Sequence, residues 1–140
     1  MMTHNNYEYF EVTADIGVRI WGHGINELFE NAALAVTSLM IDPTHIGKII
    51  HRNIQVDGNN LSSLLINWIT ELLIIRDSEG ILFSSFKINV SKNGKRLKAE
   101  AWGNHIVGEN IEMDIKAITY SLFKLEKIND EYCLQFVLDI

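Results

Sequence analysis

At 140 residues, 47% hydrophobic and 21% charged, with a formal net charge of −6, the chain has the composition of one globular domain over 1–140. One proline and one cysteine exclude long disordered linkers and an internal disulfide. No charged N-terminus followed by an apolar run marks secretion, so a reducing cytoplasm is the expected location. An acidic chain repels a phosphate backbone, so direct nucleic-acid binding is not expected. No membrane span is expected either: LSSLLINWITELLII, the most apolar stretch, is broken by polar residues and short of the ~20 apolar residues required.

In chain order, YEYFEV (Tyr7 to Val12) and IGVRIW (Ile16 to Trp21) alternate as two strands joined at Thr13-Ala14-Asp15. INELFENAALAVTSLM then repeats Leu28, Phe29, Ala32, Ala33, Val36, Leu39 and Met40 at three- and four-residue steps. That spacing predicts a helix capped by Asn26 and stopped at Asp42-Pro43. KIIHRNIQV reads as a strand, and Asp57-Gly58-Asn59-Asn60 supplies a turn and an N-cap for a second helix. Leu61, Leu64, Leu65, Trp68, Ile69, Leu72 and Leu73 form the apolar stripe of that helix. From Ile81 the period changes to two. The tip KNGK, a solvated turn within the basic run Lys92–Lys98, returns the chain through RLKAEAW, and two further strands end at LQFVLDI. The order ββαβαββββ is an α+β layout in which two helices pack on a mostly antiparallel sheet.

Several chemistries lack their residues. No Walker-type loop, GxGxxG, HExxH, CxxC or GxSxG occurs, and Cys133 sits mid-strand, where cysteine behaves as a small apolar residue. Carboxylates at strand ends remain. Asp139 lies on the strand face opposite Leu134, Phe136 and Leu138, one residue before the Ile140 carboxylate. Like charges so close repel, and a hard divalent cation (Ca²⁺, Mg²⁺ or Mn²⁺) relieves the repulsion. Asp15 is placed to add a third oxygen, and Glu11 a fourth, if the first and last strands are neighbours. The plain alternatives are a turn-capping Asp15 and a solvated chain end at Asp139.

The chain resembles the archease family along nearly its whole length. The resemblance is carried by TADIGVRIWG (Thr13 to Gly22), LFENAALAV (Leu28 to Val36), LLINWITELL (Leu64 to Leu73), EGILFSSF (Glu79 to Phe86), IKAITY (Ile115 to Tyr120) and the closing VLDI, in that order. It implies metal-binding acids at Asp15 and Asp139 and a functional lysine at Lys116. It also implies a protein that is not itself an enzyme. Such a protein would be a partner of the GTP-dependent RNA-splicing ligase in tRNA splicing and repair, promoting guanylylation of the ligase histidine and repeated turnover. A chaperone-like or methyltransferase-modulating binding module is the alternative the resemblance also permits. A metal-dependent hydrolase using the same carboxylates is poorly supported, because no histidine or second lysine stands beside them. The chain departs from the family pattern at Val12 (usually His), Asn67 (Asp), Asn104 (Glu) and Ser121 (His), each replacement removing a titratable group.

Overall fold

A computed structural model of the protein describes residues 6–140; His4, one of the five histidines, lies outside them. The strands are β1 (Tyr7–Val12), β2 (Asp15–Gly22), β3 (Ile50–Asp57), β4 (Ile81–Val90), β5 (Arg96–His105), β6 (Ala117–Ile128) and β7 (Glu131–Asp139). The helices α1 (Ile25–Met40) and α2 (Leu61–Glu79) follow β2 and β3, with short 3₁₀ turns at Pro43–His45 and Gly108–Asn110. The α+β class and the order ββαβαββββ are those expected. The strands divide, however, between two sheets, β1-β2-β7-β6 and β3-β5-β4, every pairing being antiparallel.

The helices explain why two sheets are needed. Leu28, Phe29, Ala32, Ala33, Ala35, Val36 and Met40 of α1 are all buried, more than one face can account for, and α1 packs against β2 of the first sheet and β4 of the second. Its polar core residues are satisfied: Asn31 Nδ2 donates to the Trp21 carbonyl at 2.8 Å and Thr37 Oγ1 to the Ala33 carbonyl at 2.9 Å. Helix α2 covers β3, β4 and β5 and reaches β6. Trp68, fully buried, joins the two helices by donating Nε1 to the Phe29 carbonyl at 3.1 Å, and it meets Phe86 edge-on with centroids 5.7 Å apart.

The helix ends divide the expectations. Asn60 caps α2 as expected, accepting from Ser63 N while the Ser63 hydroxyl accepts from the Asn60 amide, and Gly80 closes the helix at φ 69°. Asn26 does not cap α1. The cap position is Gly24, and Asn26 Oδ1 instead accepts from the Val90 amide of β4 at 2.8 Å, tying the helix start to the second sheet. Gly22 ends β2 and Gly58 directly follows β3; a Cβ at either would stand 2.7 Å from the amide nitrogen of Leu28 or Leu64 respectively. Only glycine lets those helices start so close to their strands. No helix among the described residues is long and apolar enough to cross a membrane.

Candidate functional site

The Thr13-Ala14 turn joins β1 to β2, with Ala14 held in the left-handed region at φ 64°. Backbone strain of this kind is costly for a residue with a Cβ and gathers at sites that the surrounding structure over-determines. Asp15 follows immediately as the first residue of β2. Along that strand Val18 and Ile20 are fully buried on the core side, so Asp15, Gly17 and Arg19 face outward. Strand β2, not β1, is the neighbour of the last strand, and its register sets Asp15 directly opposite Asp139. Opposed residues in such a pair have Cβ atoms about 4.5–5.5 Å apart, and like charges so placed destabilise the pairing.

Asp139 is the central member of three strands, facing Asp15 on one side and Ala117 on the other, and its carbonyl accepts from the Lys116 amide at 2.8 Å. The two aspartates are half-buried, and among the described residues neither side chain has a hydrogen bond or ion pair. The other expected donors stand differently. Glu11 is opposite Ile16, and strand alternation turns it to the α1 side, away from the aspartate pair. Ile140 is half-buried and packs on the core. The Lys116 side chain is exposed.

The donor chemistry fits a hard cation, since the pair offers only oxygens. No group of three or more His, Cys, Asp and Glu residues that could hold an ion occurs among the described residues. A site of one or two carboxylates leaves positions for water or for a partner's oxygens, the manner in which Mg²⁺ is commonly held. The face is open. A hollow of about 620 Å³ over the second sheet, lined by Asn53, Lys87 and Lys98 among others, and another of about 490 Å³ near His45 and His105 both exclude Asp15 and Asp139.

Outward from the pair, the same face is built in cross-strand rows. The Phe10 ring covers Gly17, where a Cβ would come within 2.2 Å of it, and Val137 beside Gly17 is buried. Arg19 lies 4.8 Å above that ring, pairs with Glu8, and donates from Nε and Nη2 to Gln135 Oε1 at 3.2 and 3.0 Å. Gln135 in turn donates Nε2 to the Leu122 carbonyl at 2.9 Å. Cys133 is half-buried on this face, and burial pushes its thiol up from the ordinary value. That suits a packing residue rather than a nucleophile.

Strand β6 departs from the smooth strand expected. Thr119 pairs with Val137 and Lys124 with Gln135, five steps on β6 for two on β7, so three residues are extruded between them. Leu122 there adopts φ 55°. The segment MDIKAITYSLFKLEK gives no sign of this bulge or of the row that holds it, because TYSLF carries apolar residues at both parities. Of the four departures from the family pattern, Val12 stands opposite Asp15 and Ser121 sits in the bulge. Asn67 of α2 donates to the Asp57 carbonyl of β3, and Asn104 of β5 accepts from the His105 amide.

The sequence pattern of the Archease protein family (MTH1598/TM1083) matches residues 7–140. Protein archease of Sulfurisphaera tokodaii is 41% identical over 96% of this chain and 98% of its own length, and that of Pyrococcus abyssi 39% over the same shares. The solution structure of Methanobacterium thermoautotrophicum protein 1598 superposes with a TM-score of 0.83 at 34% identity, covering 96% of this chain and 99% of that one. A Thermotoga maritima archease, described as a possible chaperone, shares the fold at a TM-score of 0.65 and 22% identity, covering 99% and 100%. With its family pattern matched from Tyr7 to Ile140, the chain belongs to the archease family.

Proposed function

We propose that the protein is an activating partner of a GTP-dependent RNA ligase, promoting guanylylation of the ligase histidine and repeated turnover in tRNA splicing or repair, and is not itself a catalyst. The observation that carries this reading is the opposition of Asp15 and Asp139 across β2 and β7 on an open face, with no counter-ion among the described residues. A like-charged pair kept at a strand end costs stability, and it is understandable where a cation supplied from outside completes it.

In this reading Asp15 and Asp139 would hold a divalent ion, which would supply positive charge to oxygens at the ligase site. The chain's own part is geometric. Pairing of Asp139 with strands on both sides fixes its backbone, the strained Ala14 turn fixes Asp15, and exposed Lys116 is free to meet a carboxylate or phosphate of the partner. The net charge of −6 favours docking on a basic, RNA-handling enzyme and disfavours binding the RNA itself. The test is guanylylation of purified ligase with GTP, with and without this protein. Faster guanylylation and more than one turnover are expected, and no stimulation by the wild-type protein would reject the reading.

A further inference from the structure

We propose that the bulge of β6 between Thr119 and Lys124 is the anchor by which the partner protein is held over the acid pair; this rests on the function proposed above. Tyr120 and Leu122 are large apolar residues exposed at 58% and 55%, two positions apart on the edge strand of the first sheet. Single exposed apolar residues need no explanation. Leu122 differs in being displayed at a cost, since it holds a left-handed backbone that a branched, bulky side chain rarely adopts.

The bulge is also fastened. Gln135 holds the Leu122 carbonyl, and Arg19, paired with Glu8, holds Gln135, so a row across β1, β2 and β7 ends on the strained residue. On the other side the Ser121 amide donates to Thr119 Oγ1 at 3.3 Å, and the Tyr120 ring lies 5.7 Å from Phe123, which packs on the core. A preorganised apolar knuckle loses little freedom on binding, which is the property that lets a few aromatic and aliphatic residues dominate an interface.

Its position supplies the function. Ala117, opposite Asp139, is three residues before Tyr120, about 10 Å along an extended chain. Alternation turns Tyr120 to the opposite side of β6 from Ala117, so a partner that seats Tyr120 and Leu122 reaches the aspartates by wrapping the sheet edge, a span well within a standard interface of about 800 Å² per partner. Charge complementarity defines that partner: a protein surface with an apolar pocket, flanked by lysines or arginines that suit a chain of net charge −6, and by oxygens that would complete the cation at Asp15 and Asp139.

The test is titration of purified GTP-dependent RNA ligase with the full chain, read as Kd by calorimetry beside the half-maximal concentration for guanylylation. Tyr120→Ala and Leu122→Asp are each expected to weaken binding on the order of tenfold or more, moving the half-maximal concentration by the same factor while melting stays at the wild-type temperature. Leu122→Gly separates anchor from scaffold: it relieves the backbone strain, so it melts at or above wild type and still binds more weakly. Wild-type affinity in all three variants would overturn the anchor alone. A wild-type protein that neither binds nor stimulates the ligase would overturn the proposed function and the anchor with it.

Discussion

Neutralising one member of the acid pair tests whether the opposition of Asp15 and Asp139 is a cost that a cation removes. Asp139→Asn keeps the side-chain shape and deletes one charge. Taking the cross-strand Cβ spacing of about 5 Å as the separation of the charges, Coulomb repulsion is about 0.8 kcal/mol in bulk water and about 3 kcal/mol at the effective dielectric of a protein surface. Both residues are half-buried but open to solvent on one face, which places the repulsion near about 1 kcal/mol. In EDTA at low salt and pH 7, Asp139→Asn should therefore melt about 3 °C above the wild type. The gap should narrow in 1 M salt, where the screening length of about 3 Å is shorter than the separation. On the proposed reading, adding Mn²⁺ or Ca²⁺ should reverse the order, because an ion at ten times its Kd would stabilise the wild type by about 1.4 kcal/mol and would have lost a ligand in the variant. Melting by differential scanning calorimetry in the three buffers reads all of this. A variant that melts at or below the wild type in EDTA, or one that keeps its lead in the divalent ion, refutes the reasoning.

Other outcomes follow from the packing. Trp68→Ala empties the junction of α1, α2 and β4 and should cost about 3–5 kcal/mol by urea denaturation, a large fraction of the whole stability of a domain. Leu122→Gly should gain about 0.5–1 kcal/mol, the left-handed strain of about 1–2 kcal/mol released minus the extra backbone entropy of glycine; a loss of stability would show that the leucine side chain packs. Burial raises the Tyr9 phenol above its ordinary 10.0, while its hydroxyl donates to the Ala35 carbonyl at 2.7 Å. The unfolded chain then loses this proton first, so stability is level below about pH 10 and falls above it. With Tyr9 39% exposed, the loss is at most about 1 kcal/mol per pH unit, and it should vanish in Tyr9→Phe when unfolding is followed from pH 8 to 11.

How much of this was legible depended on whether the determining contact was local. Asn60 was readable as a cap because a capping box closes within four residues; Asn26 was not, since its partner is the Val90 amide 64 positions away. The helical stripes located α1 and α2, yet burial of α1 on more than one side, and with it the split into two sheets, depends on strand pairings that periodicity does not encode. Asp139 could be assigned to the outward face of β7 from alternation alone. Which strand lies beside it is a matter of topology, and once β2 takes that place Asp15 comes opposite Asp139 while Glu11 turns to the other side. The β6 bulge was hidden because an extruded segment leaves the composition of a strand unchanged; its trace is a register jump and the positive φ of Leu122.

The most direct measurement of the central claim is a double-mutant cycle on ligase guanylylation, using Asp15→Ala, Asp139→Ala and the double variant at saturating concentration. Two carboxylates that act together on one cation lose their effect with the first substitution, so the double variant should be no worse than either single one. Losses that multiply in the double variant would mean that the aspartates act independently, and full stimulation by all three variants would mean that they are not the site.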